Sequence, residues 1–219
     1  MEPNDITRDL LKDELQKMGK IRHIGITNFD TTRIKEILEA GVEIAANQVQ
    51  YSLLDHRVEK SMSDLSQKHD IPFLCYGSVA GGFLSDRYLS TPDPIQPHEN
   101  RSLTKYRLII DEFGGYDLFQ ELLKTLRTIA NKYHVGVAEI ASKYVLQKPM
   151  VASVIIGARN IKHLNSLKKL NRFNLDNDDL KVIAKIINRC EGPNGPFYEL
   201  ERDKTGKHGS IMKYNLNES

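Results

Sequence analysis

The sequence predicts an α/β fold built on a parallel sheet, and three observations carry that prediction. Short apolar segments of strand length alternate with amphipathic helical segments, so each strand is followed by a returning helix and its neighbour must run parallel. Each strand closes on polar residues just before a helix start, where a (β/α) barrel places its functional side chains. The third is length: 219 residues fall short of the roughly 250 that a closed barrel uses. Together they predict a TIM-barrel type of fold, here an incomplete barrel of about four βα units, over a single domain at 1–219 with a C-terminal loop and tail at 191–219. The first and last strands of such a sheet would be unpaired edges.

The elements follow in order. Asp5 to Met18 carries Leu10, Leu11, Leu15 and Met18 at helical spacing, Gly19 closes it, and Ile21 to Ile26 reads as a short buried strand. Asp30 or Thr31 caps the next helix, whose apolar face is Ile34, Ile37 and Leu38 and whose stop is Gly41. A second strand spans Glu43 to Val49 with Asn47 and Gln48 at its end, a helix carries Val58, Met62 and Leu65, and Ile71 to Tyr76 is the third strand. The segment from Tyr76 to about Gly115 reads as a long excursion rich in Gly and Pro. Leu118, Phe119, Leu122, Leu123, Leu126 and Ile129 then mark a strongly amphipathic helix, and Val137 to Leu146 a second one stopped by Pro149. Ser153 to Ile156 is the fourth strand, Ile161 to Leu170 a helix opened by Gly157, and Asp176 caps a last helix at Leu180, Ile183, Ala184 and Ile187.

Composition bounds the partners. With 31 Lys and Arg against 29 Asp and Glu the net charge is +2, which gives no electrostatic case for nucleic acid or an anionic membrane. No stretch approaches the roughly twenty apolar residues of a membrane span, and the start MEPNDITRDLLKDE has no apolar signal core. Cys75 and Cys190 stand alone, without a CxxC pair or histidines at ligand spacing, which predicts reduced thiols, no metal site and a cytoplasmic location.

Four segments, GKIRHIGITNFD, ANQVQYSLLD, CYGSVAGGFLSDRY and SVIIGARNIKHL, resemble the fifth to eighth strands of the aldo-keto reductases, in family order from residue 19 to about 167. The resemblance implies an NADP(H)-dependent oxidoreductase domain that reduces a small carbonyl substrate in the intact family. It also implies that the family's catalytic Asp, Tyr, Lys and His, which come from the first four strands, have no counterpart here. No catalytic residue is therefore assigned, and the expectation is a chain inactive by itself that binds NADP(H) weakly or not at all.

The polar tips have readings of their own beside the family's. Thr27 and Asn28 are able to pair with a carboxamide, since Asn presents a donor and an acceptor in one plane; the alternative is that they satisfy backbone groups at a turn. By resemblance they would hold the nicotinamide amide, with Gln48 beside them, or Gln48 merely closes a strand. Tyr76 is a planar ring at a strand end, suited to stack on the nicotinamide or to pack in the core. Gly77, Ser78, Ala80, Gly82 and Leu84 resemble the pyrophosphate loop and its extension, where glycine lets backbone N–H groups come close. Ser85 and Arg87 are further phosphate candidates, Arg87 equally a solvated charge. Gly157 opens a helix N-terminus, where backbone donors suit a phosphate, and Arg159 adds a fork suited to a 2′-phosphate. His163 meets a phosphate or stands on the surface, and Leu167 stands where the family hydrogen-bonds adenine. Tyr51 and His56 follow a strand, with nothing at their spacing to make them a proton donor.

The implied function has alternatives: an enzyme half completed in trans by another chain, a non-catalytic module that pairs through its open strand edges with itself or a partner, or a nucleotide-binding pseudoenzyme.

Overall fold

The computed structural model describes residues 14–59, 61–94, 98–157 and 167–211. Four strands, β1 (Gly25–Thr27), β2 (Ala46–Gln50), β3 (Phe73–Tyr76) and β4 (Val151–Ile155), form one parallel sheet in that spatial order. Register sets Thr27 beside Gln48, Gln50 beside Tyr76, and Tyr76 beside Ile155. Helix α1 (Thr31–Glu39) returns the chain from β1, and α2 (Ser61–His69) returns it from β2. Between β3 and β4 stand α3 (Arg101–Phe113), α4 (Gly115–Tyr133) and α5 (Val137–Leu146). After β4 come α6 (Asn177–Ile187) and the short α7 (Phe197–Arg202).

Alternation along the strands decides which face is covered. Ile24, Ile26, Val49, Phe73 and Cys75 point to the helical side and are buried in two apolar clusters. On the other face Thr27 is exposed and Gln48, Leu74 and Ser153 are half-buried. Ile155 there is 45% exposed. Among the described residues, the helices thus pack on one face, as in the wall of a barrel. The caps that the sequence announces are made: the Asp30 carboxylate accepts from Arg33 N, and that of Asp176 from Asp178 N and Asp179 N.

Several expectations shift. β1 begins at Gly25 rather than Ile21, because an edge strand is regular only where β2 offers partners. β2 runs on to Gln50, since β3 continues alongside it, so Asn47 and Gln48 lie within the strand and Gln50 forms its tip. The larger correction is the excursion at 76–115, which holds the 13-residue α3. Leu103, Tyr106, Ile109, Ile110 and Phe113 are its buried stripe, Asn100 caps it, and Gly114 at φ 136° ends it. The tail also departs from a plain loop by forming α7. The helix expected at Asp5 to Met18 is seen as helical turns at 14–17, its earlier part lying outside the described residues, as do 161–166 of the helix expected at Ile161 to Leu170. Residues Lys168–Arg172 of the latter form a tight 3₁₀ turn.

Candidate functional site

The C-terminal ends of β1, β2 and β3 converge on one polar corner. Asn28 takes a left-handed conformation at φ 57°, which Asn tolerates better than most residues, and this turns its amide back across the sheet. Its backbone N–H donates to Gln48 O at 2.9 Å. Its Nδ2 donates to the Tyr76 hydroxyl at 2.8 Å, while that hydroxyl lies 3.1 Å from Asn28 Oδ1 as donor. Three residues from three strands are thereby locked together, with Thr27 in register with Gln48.

Two groups from distant segments complete the corner. Glu201 on α7 accepts from Asn28 Nδ2 at 3.3 Å and from Lys105 Nζ at 2.6 Å. Lys105 on α3 lies 5.3 Å from the centre of the Tyr76 ring. Tyrosine, lysine and carboxylate are the groups that make a proton donor when the ammonium lowers the phenol. Here the ammonium rests over the ring, and burial together with the Glu201 charge pushes the Tyr76 hydroxyl well above the usual range. Tyr76 therefore stays protonated and is a poor acid.

Behind the β2 tip lies a buried ionic knot. Asp55 accepts from Gln50 Nε2 at 2.7 Å, from Arg57 Nε at 2.9 Å and from Arg57 Nη2 at 2.6 Å. Asp55 is fully buried, and this pairing is what makes its burial tolerable. Tyr51 has partners of a structural kind: its hydroxyl donates to Glu59, which also meets His56 and Lys148. Burial first, then Glu59, raises the Tyr51 hydroxyl, so these contacts fix it as a structural group.

A cavity of about 550 Å³ opens beside this corner, lined by Gly77, Gly82, Ser85, Arg87, Tyr106 and Gly157 among others. That is within the roughly 300–1,000 Å³ common for small-molecule sites. Among the described residues nothing stands within 4 Å of where a Cβ would project from Gly82 or Gly157, so the cavity wall is open beside both. Gly77 differs, because the space a Cβ would take is filled by the Tyr106 hydroxyl. Ser78 is buried and does not line the cavity, and its Oγ has no hydrogen-bond partner among the described residues.

Other predicted positions are placed less favourably. Ala80 and Leu84 are fully buried, and the N–H groups of Ala80, Gly82 and Leu84 donate to Gly77 O, Val79 O and Val79 O within the loop. Ser85 Oγ donates to Gly82 O at 2.6 Å, and Arg87, at the rim, donates to Glu99 at 3.1 Å. Arg159 and His163 lie outside the described residues, whereas Leu167 lines the cavity wall.

The Aldo/keto reductase family model matches residues 9–188. The chain belongs to the aldo/keto reductase family. It is 26% identical over 202 residues to Aldo-keto reductase YhdN of Bacillus subtilis, covering 90% of this chain and 58% of that protein. An aldo-keto reductase of Babesia bovis is 30% identical over 176 residues, covering 75% of this chain and 60% of the relative. Among solved structures, an aldo-keto reductase from Bacillus halodurans superposes with a TM-score of 0.62 at 27% identity, over 84% of this chain and 56% of the other. A glycerol dehydrogenase from Gluconobacter oxydans, at 22% identity, shares the fold with a TM-score of 0.73 over 89% of this chain and 59% of the other. The chain thus spans less than two thirds of the length of these relatives. Fold and family agree on a TIM-barrel-like α/β architecture, with four parallel strands of an incomplete barrel described.

Sequence reasoning missed Lys105, Glu201 and the Gln50–Asp55–Arg57 knot. The knot had a local signal, since Asp55 and Arg57 stand as an acid and a base two residues apart directly after the apolar pair Leu53–Leu54. Lys105 and Glu201 had none, being 96 residues apart.

Proposed function

We propose that this chain is an NADP(H)-dependent oxidoreductase domain that contributes the nicotinamide side of an aldo/keto reductase site, its strands corresponding to the fifth to eighth of the family barrel. The observation that carries the reading is the meeting of Asn28 and Tyr76 at the ends of their strands with Gln48 of the strand between them, whose backbone O accepts from Asn28 N, next to a cavity bordered by Gly82 and Gly157. In this reading Thr27, Asn28 and Gln48 hold the carboxamide, and the Tyr76 ring supports the nicotinamide face. Gly77, Ser78, Ala80, Gly82 and Leu84 form the loop toward the pyrophosphate, Gly157 and His163 are further phosphate contacts, and Arg159 is the 2′-phosphate contact that the family resemblance implies. The bound nucleotide would supply the hydride for a carbonyl substrate. The open space beside Gly82 and Gly157 on the cavity wall leaves room for such a group.

A carbonyl also needs a proton donor. Tyr51, Tyr76, Tyr106, Tyr133 and Tyr144 are all shifted upward, chiefly by burial, and none is an activated acid. In this reading these residues by themselves do not reduce aldehydes or ketones, and turnover takes an acid supplied from outside them.

The test is calorimetry with NADPH and NADH, alongside an aldehyde panel. NADPH binding in roughly the micromolar range is expected, with no turnover. Gln48→Ala should weaken both nucleotides about tenfold through the lost amide contacts, and Arg159→Ala should weaken NADPH alone. Equal affinities untouched by either substitution would sink the reading, and turnover lost on Tyr76→Ala would show that an acid does reside here.

A further inference from the structure

The corner that would receive the carboxamide is already held by the chain itself. Asn28 Nδ2 divides its hydrogen bonding between the Tyr76 hydroxyl and Glu201 Oε2, and Asn28 Oδ1 faces the Tyr76 hydroxyl. An incoming amide needs this donor and this acceptor. Glu201 stands where the amide oxygen would accept. Its carboxylate is itself fixed by Lys105, and both side chains are about one-sixth exposed, at 15% and 16%.

The segment that carries Glu201 is fastened a second time. His208 Nε2 lies 2.8 Å from Glu112 Oε1, with His208 only 4% exposed. Lys105 and Glu112 are seven residues apart on α3, two helical turns, and therefore share a face. Glu201 and His208 are also seven apart, so the tail lies along α3 with its acidic group on the lysine and its histidine on the glutamate. Between them the chain is wound tightly: Asp203 accepts from Thr205 N at 3.0 Å through its side chain and from Gly206 N at 2.9 Å through its carbonyl, and just beyond His208 the Gly209 backbone packs against Asp203 O. This is a compact clasp with one end on the helix and one in the site.

We propose that residues 199–211 are an autoinhibitory latch, in which the Glu201 carboxylate occupies the carboxamide position on Asn28 and must withdraw before a nicotinamide nucleotide is seated. The latch rests on the nucleotide reading given above. Lys105 is the counter-ion that keeps Glu201 in place, while the His208–Glu112 contact retains the segment near the site when Glu201 lets go. Because the pair is partly exposed, salt weakens the closed state.

The experiment combines NADPH calorimetry with amide hydrogen exchange of residues 199–211 on the full chain, comparing wild type, Glu201→Ala, Glu201→Gln and Gln48→Ala. Glu201→Ala should bind NADPH about tenfold more tightly than wild type, with Glu201→Gln intermediate because it keeps an acceptor but loses the charge. Exchange of 199–211 should accelerate when NADPH saturates the wild type and should already be fast in nucleotide-free Glu201→Ala. Unchanged or weaker affinity of Glu201→Ala, or tail exchange indifferent to saturating NADPH, overturns the latch while Gln48→Ala still reports on the nucleotide site. Absence of NADPH binding in the wild type and in both Glu201 variants overturns the nucleotide reading, and the latch with it.

Discussion

At the scale of single residues, buried charge is the sharpest determinant. Burial opposes ionisation of Glu59, yet hydrogen bonds from His56, Lys148 and Tyr51 outweigh it and lower its carboxyl from 4.5 to about 2. A carboxylate lowered on folding stabilises the fold above its unfolded value, and that contribution is lost as pH falls from 4.5 through about 2. Glu59→Gln should therefore be less stable than wild type at neutral pH and lose less of its stability across that acid window, read as Tm against pH. Parallel curves would show that Glu59 is not the responsible group. The Asp55–Arg57 pair makes a second case. Asp55→Ala removes the carboxylate that pairs with a buried guanidinium, and chemical denaturation should report a loss of about 3–5 kcal/mol. Cys75, fully buried with its thiol pushed up to about 12, is inert by comparison.

At the scale of elements, α3 carries the burden of the site, because it holds Lys105 and Tyr106 against the β3 exit. Its own anchor is apolar, and Ile110 is fully buried there. Ile110→Ala should destabilise the fold by about 2–5 kcal/mol in urea unfolding, the cost of the lost burial and the cavity it leaves; a change under 1 kcal/mol would mean that α3 docks loosely. This helix also shows where the sequence stops being legible. α5 was readable over Val137–Leu146 because its apolar spacing is uninterrupted and its limits are marked. α3 has an equally regular stripe, but Pro92, Pro94 and Pro97 before it and Gly114 and Gly115 after it gave the segment the look of a loop. The strand tips were legible because Asn28 and Tyr76 end short apolar runs. Glu201 was not, since closing a loop of 173 residues onto Asn28 is a tertiary event with no local pattern.

At the scale of the whole molecule, one face of the sheet has no helical cover among the described residues below its C-terminal rim, where Lys105 of α3 sits over Tyr76. Thr27 and the half-exposed Ile155 bound it, and the outer sides of β1 and β4 lack a neighbouring strand there. Unpaired strand edges template further pairing, and a closed (β/α) barrel joins its first strand to its last for that reason. Two copies related by a two-fold axis along the strands could set β4 of each against β1 of the other, an isologous arrangement that leaves no edge. We therefore expect concentration-dependent association in sedimentation velocity. Ile155 is the position to perturb, because it lies on the open face of the edge strand β4 and its substitution leaves the helical core untouched. Ile155→Lys should shift the equilibrium toward monomer by placing a buried, unpaired charge in the joined face. A wild-type monomer at every concentration, indistinguishable from Ile155→Lys, would show that the open face is not a joining surface.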